Sequence, residues 1–290
     1  MYNVKLKHYK RGETQVSIFN YAVHDGTLSN AEKQRRELIK RLGIGKSRNP
    51  FDKEFCTEVS FGFNEIDKWL DMDKEKHERS VKNSCNRAKK EIYDLSRANN
   101  WDYFVTLTFN SDKVNRYDYD DCVKKLSQWL KDCRKRSCGA DFKYLVVPER
   151  HKDGAFHFHG LFANCDGLNF TDSGYKDKKG RIIYNIGKYK LGFTTATKID
   201  SNEAVCKYIT KYTTKELAEH AKNKKKYWAS RNLDKPIVET FLLDKDIRTV
   251  LEEELRNSAD FYKNIEFKIK DRECRIEYYE CKGLTLSLLD

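Results

Sequence analysis

Two short stretches carry residues whose types and spacing suit chemistry. The first is Phe156-His157-Phe158-His159-Gly160. On a strand, side chains alternate, so His157 and His159 share a face about 6.6 Å apart along the chain while Phe158 points the other way. Glu149 closes an apolar run, Tyr144 to Val147, eight residues before His157. One carboxylate and two imidazoles on one surface form a donor set for a divalent ion, with positions left open for substrate. An H-x-H pair on a strand also occurs as simple packing. The second stretch bears on the choice.

That stretch is Tyr208-Ile209-Thr210-Lys211-Tyr212. On a helix, residues four apart stand one turn above each other, with Cβ atoms about 5–6 Å apart. The spacing therefore presents two phenols together. Lys207, Lys211 and Lys215 form a ladder on an adjoining face, and Val205 and Ile209 face the core. A tyrosine, with a pKa of about 10, is a poor nucleophile at neutral pH. It can attack a phosphodiester when a divalent cation polarises the phosphate and a lysine stabilises the developing charge. Alone, such a helix is also an ordinary aromatic pair with solvated lysines. Both stretches together in one basic chain favour the chemical reading.

Positioning these groups requires a hairpin and a helix. Polar residues Arg150 to Ala155, with an Asp-Gly turn signal, separate the Glu149 run from the histidine run. This predicts a β-hairpin with Glu149 near the end of one strand and the histidines on its partner. Trp101 to Phe109, rich in β-branched and aromatic residues, predicts another strand. Amphipathic spacing predicts helices over Lys74–Asn99 and Tyr119–Cys133. Asn164 to Gly180 reads as a surface loop, and Arg181 to Ile199 as one or two strands. A helix begins at Ser201, a suitable N-cap, and runs to Glu216. Outside this core, strands are expected at Val4–Tyr9, Gln15–Val23, near Glu54–Phe63, Pro236–Leu243 and within Ile265–Tyr279. Further helices are expected at Asn30–Leu42 and Lys245–Arg256. Single helices alternating with paired strands predict an α+β fold, an antiparallel sheet with helices packed on it.

Composition narrows the partner. Lys and Arg outnumber Asp and Glu by 57 to 45, a net charge of +12, which favours a polyanion. No apolar run reaches the 18 or more residues of a membrane span, and the first residues do not resemble a signal peptide. Nucleic acid is thus expected rather than a membrane, and a cytoplasmic location. The nine cysteines are odd in number and contain no C-x-x-C, so they read as reduced structural thiols. Gly45-Lys46-Ser47 lacks the upstream glycine of a phosphate-binding loop, since Lys40 stands there, and Asn49-Pro50 breaks any following helix. No NTPase or helicase activity is indicated.

Phe104-Val105-Thr106-Leu107-Thr108-Phe109, His157-Phe158-His159-Gly160 and Tyr208-x-x-Lys211-Tyr212 resemble, in this order, the three motifs of the HUH endonucleases. The two-tyrosine rolling-circle replication initiators of small single-stranded DNA phages and related plasmids are the most similar group. Tyr227-Trp228-Ala229-Ser230-Arg231 also resembles a segment that follows the third motif. The resemblance spans about Lys74 to Pro236. It implies an RRM-like or ferredoxin-like antiparallel sheet of about five strands, the histidine pair on a central strand and the tyrosine helix across the sheet edge. It implies that His157 and His159 bind Mn²⁺ or Mg²⁺, with Glu149, or failing it His151, as third ligand. Tyr208 and Tyr212 are the implied nucleophiles, with Lys211 between them. Thr106 and Thr108 are expected to support the site or touch DNA. Lys207, Lys215, Lys225, Trp228 and Arg231 are the candidate DNA contacts, in a basic region that includes Lys222 to Lys226.

The implied activity is nicking of one strand at an origin, often in a hairpin. A 5′-phosphotyrosine link would form, a 3′-OH would be freed for synthesis, and the ends would later be rejoined. Single-stranded DNA is the implied substrate, with a host helicase and DNA polymerase as partners. On this reading, residues 73–243 form the endonuclease domain, 1–72 an N-terminal extension and 244–290 a C-terminal helix and strands. A mobilisation relaxase or single-strand transposase would use the same chemistry. A non-catalytic single-strand binder on an RRM-like sheet would explain the charge and the aromatics, without requiring both histidines and both tyrosines.

Overall fold

The computed structural model describes residues 1–23, 63–212, 225–269 and 272–283. The predicted helix Asn30–Leu42, the Gly45-Lys46-Ser47 stretch, residues 54–62 of the strand near Glu54, Lys215 and Lys222 to Lys224 lie outside the described residues. The fold is α+β, with two antiparallel sheets in two compact units. One unit comprises Met1–His8, Gly12–Lys76 and Ile237–Asp290; the other comprises Tyr9–Arg11 and His77–Pro236.

The first unit contains β1 (Tyr2–His8), β2 (Glu13–Val23), β10 (Ile237–Phe241), β11 (Phe261–Ile269) and β12 (Arg272–Lys282). They form a sheet in the order β10-β1-β2-β12-β11. The two ends of the chain thus share one sheet. A helix at Lys245–Ser258 lays Leu251 and Leu255 on Val4, Leu6, Val16, Ile18 and Tyr279. Its N-cap, Asp244, accepts from the Ile247 N–H.

The second unit carries the residues of interest. It is built on β3 (Tyr103–Phe109), β4 (Lys143–Arg150), β5 (Phe156–Ala163), β6 (Phe170–Lys176), β7 (Ile182–Ile186), β8 (Gly192–Lys198) and β9 (Trp228–Ala229). The order is β6-β7-β8-β3-β5-β4-β9. The sheet is wider than the expected five strands. Asn164 to Gly180 is not a loop: Phe170–Lys176 is β6, which pairs with β7 and extends one edge. Sequence hid this strand because Thr171, Asp172, Gly174 and Tyr175 are exposed, so it carries no alternating apolar signal. At the other edge, two residues of β9 pair with β4.

Helix α1 (Phe63–Arg97) starts eleven residues before the predicted Lys74. Helix α2 (Tyr119–Asp132) follows β3. Asp118 caps it by accepting from the Asp120 and Asp121 N–H groups. Helix α3 (Asn202–Thr210) begins at the predicted cap, where Ser201 Oγ accepts from the Ala204 N–H.

The sheet's alternation separates two cores. On one face Val105, Leu107, Phe109, Val146, Phe158 and Phe162 pack against Leu126, Trp129 and Leu130 of α2. On the other, Leu145, Val147 and Leu161 meet Ile92 and Leu95 of α1 and Val205 and Ile209 of α3. Helix α3 therefore lies over the face of β4 and β5 rather than across an edge, because its apolar stripe has partners there. Gly160, after the histidine pair, is required by crowding: a Cβ there would stand 3.0–3.2 Å from Phe162, Val105 and Val146. Phe158, fully buried with its ring 5.7 Å from those of Phe109 and Trp228, anchors β5 from behind. Phe158→Ala should cost about 3–5 kcal/mol. Calorimetry should show a fall in melting temperature of roughly 10 °C or more.

Candidate active site

Register brings the chemical residues into rows. Thr108, His157 and Glu149 are cross-strand partners, as are Thr106, His159 and Val147 in the next row. All six occupy the face that α3 covers in part. Glu149 stands opposite His157, yet its carboxylate reaches diagonally to the other histidine. His159 Nε2 donates to Glu149 Oε2 at 2.7 Å. Diagonal neighbours on a sheet are within reach of such long side chains.

Each imidazole is held from β3 by a threonine. Thr106 Oγ1 is 3.1 Å from His159 Nδ1, and Thr108 Oγ1 is 3.3 Å from His157 Nδ1. With its Nε2 proton directed at Glu149, His159 accepts at Nδ1 from the Thr106 hydroxyl. A hydroxyl can also accept, so the same contact survives if Nε2 loses its proton to a cation and Nδ1 gains one. That is the arrangement by which a neighbouring oxygen orients a metal-binding histidine.

Burial lowers the pKa of both histidines below the ordinary value. His151, whose ring lies 5.0 Å from that of His157, lowers His157 further. For His159, burial outweighs the opposing pull of Glu149. Both rings are therefore neutral, the form that binds a cation. As the pH drops below about 6.5 the unfolded chain takes up protons before these rings do. Their contribution to stability is thus complete above that pH and lost as it falls towards the depressed values. The melting temperature should decline from pH 7.5 to 5.5, with a shallower slope for His159→Gln.

The tyrosines sit directly above. Tyr212, just past the end of α3, stacks on His159 with ring centres 3.8 Å apart and 16° between planes. Its hydroxyl donates to the Tyr208 hydroxyl at 2.7 Å. Lys211 Nζ lies 3.4 Å from the centre of the Tyr208 ring and 5.6 Å from that of Tyr212. The two phenols differ in setting. Tyr208 is 42% exposed and Tyr212 only 9%. Burial, then the hydrogen bond to Tyr208, raises the pKa of Tyr212 well above the ordinary tyrosine value. Phe104 completes the aromatic group, 5.2 Å from Tyr208 and 5.9 Å from His159.

The structure thus gathers Glu149, His157, His159, Tyr208, Lys211 and Tyr212 in one place. Among the described residues, no three His, Cys, Asp or Glu side chains are grouped so as to hold a metal ion as they stand. The donor chemistry nevertheless fits a divalent ion: two neutral imidazoles and a carboxylate on one face. An ion shared by Glu149 and His159 would require their 2.7 Å contact to open to about 3 Å, given bonds of about 2.1 Å to each. His151, the alternative ligand, is exposed beside His157 and 3.4 Å from Asp153.

The candidate DNA contacts are more scattered. Trp228 is a correction: it is buried against Phe158 and Tyr119 in the α2-side core, so its ring has no open face for a base. Its aromatic type could not reveal which side of β9 it would occupy. Lys225 and Arg231 flank β9 and are exposed. Lys207, also exposed, pairs with Glu203 at 3.4 Å. No helix among the described residues is long and apolar enough to cross a membrane, and the eight cysteines described are free thiols.

Comparison with known families matches residues 102–217 to the replication-associated protein ORF2 family. The match begins just before β3 and ends beyond Tyr212, so it contains all six gathered residues. No curated protein and no solved structure matches the chain.

Proposed function

We propose that this protein initiates DNA replication by nicking one strand through a tyrosine and later rejoining the ends, as in rolling-circle synthesis. The observation that carries the reading is the stacking of Tyr212 on His159, with Tyr208, Lys211 and Glu149 in direct contact around it. A packed aromatic pair would not require two neutral histidines and a carboxylate beneath it. The similarity to a replication-associated family supports the biological role.

His157, His159 and Glu149 would hold a divalent ion, Mn²⁺ or Mg²⁺, which when bound supplies positive charge to the phosphate being attacked. The chain's own residues do the rest. Tyr208, the more exposed phenol, attacks first. Its Oη–P bond forms as the P–O3′ bond breaks, and the phenol proton ends on the departing 3′ oxygen. Atoms and charge balance without another reactant. Lys211 over the Tyr208 ring stabilises negative charge developing on that phenol. The Tyr212 hydroxyl, which keeps its proton, donates to the same oxygen. Tyr212 then serves the second cleavage that ends a round of synthesis. Unwinding and synthesis would come from a host helicase and polymerase.

The test is a denaturing gel of the protein incubated with labelled circular single-stranded DNA, with Mn²⁺ and with chelator. A metal-dependent band of protein joined to DNA supports the function. Tight binding to the same DNA without any such band overturns it in favour of a binding module.

A further inference from the structure

The face that bears the histidines continues past β3 onto β8. Phe193 is the cross-strand partner of Thr108, and Thr195 that of Thr106. Phe193 therefore extends the row Thr108–His157–Glu149 by one strand. Its ring is 73% exposed, among threonines. Gly192 allows β8 to approach so closely, because a Cβ there would collide with the Thr108 carbonyl.

Beside this row lies a groove of about 550 Å³. Thr195 and Thr197 form part of its floor, Tyr208 closes one side, and Lys178 and Lys179 of the β6–β7 turn line another. That turn is a built structure. Asp177 Oδ1 accepts from the Lys179 and Arg181 N–H groups, and Arg181 pairs with Asp177 at 2.7 Å. Arg181 also lies 3.6 Å from Asp200. The arginine's charge is thus used within the protein, while both lysines are exposed at the groove. Tyr208 borders the groove and Tyr212 does not.

We propose that β8 and the β6–β7 turn seat the single strand next to the bond that is cut. One base stacks on Phe193, and neighbouring phosphates lie in the groove against Lys178 and Lys179. An exposed aromatic ring beside a cationic groove is how sequence-tolerant single-strand sites are made. The proposal rests on the nicking function above and gives Tyr208 its substrate.

The test uses the full chain and labelled oligo(dT), with chelator present, followed by fluorescence anisotropy over a range of salt. Phe193→Ala should bind about tenfold more weakly, with unchanged melting temperature and salt slope. Phe193→Trp should restore affinity. The Lys178→Ala/Lys179→Ala protein should lose about 1.4 from the slope of log affinity against log salt, about 0.7 for each phosphate contact. Wild-type affinity in Phe193→Ala, or an unchanged slope in the lysine variant, overturns the seat. The assay reads no cleavage, so failure of the nicking function would be seen separately, as a missing covalent band.

Discussion

With Tyr208 and Tyr212 both changed to phenylalanine, the protein should form no covalent complex with DNA, a loss on the order of 10³-fold or more. Affinity for the same strand should be retained. The single variants should differ. Tyr212 is buried, stacked on His159 and held protonated; Tyr208 is exposed at the groove beneath Lys211. Tyr208→Phe should therefore lose most first cleavage, leaving only what Tyr212 can supply after leaving its stack. Tyr212→Phe removes one hydrogen bond to the attacking oxygen. Its first cleavage should fall by about tenfold, within what one donated bond contributes. The second cleavage, which needs a fresh phenol, should be abolished. Equal defects in the two single variants would contradict this asymmetry, and an active double variant would place the nucleophile elsewhere.

The second large effect is expected at the histidines. His157→Ala should lower cleavage on the order of 10³-fold, the scale of losing several kcal/mol of charge stabilisation. Binding to single-stranded DNA should change by no more than about threefold, because lysines and arginines on phosphates supply most affinity. Titration calorimetry with Mn²⁺ should show its binding lost in the same variant. Thr108→Val should give a milder form of both defects, since it only frees the ring that Thr108 orients. Full cleavage by His157→Ala would remove the basis for a metal role on this face.

Much of this was legible in sequence. The H-x-H alternation, the Asp-Gly turn and the four-residue tyrosine spacing each follow from a local period, and each appears in the fold as a local feature. Glu149 was placed near the histidines by hairpin reasoning, and the register sets it opposite His157. What was not legible depends on contacts between distant segments. That Glu149 reaches His159 rather than its direct partner is set by side-chain reach across the sheet. That Phe193 joins the His157 row depends on β8 pairing with β3, some 80 residues away in the chain, which no periodicity encodes. Trp228 carried an aromatic signal suited to DNA or to a core, and only tertiary packing decided for the core. Strand β6 was missed because an exposed edge strand needs no buried alternation.

The central claim is that a phenol of this chain becomes the covalent partner of a DNA 5′ end. Its most direct measurement is mass spectrometry of the protein after reaction with single-stranded DNA and Mn²⁺, followed by nuclease and protease digestion. The expected result is a nucleotide phosphate on the peptide containing Tyr208, shifting to Tyr212 only in Tyr208→Phe. Cleaved DNA bearing a free 5′ phosphate with no modified peptide, or modification at any other residue, would contradict the claim.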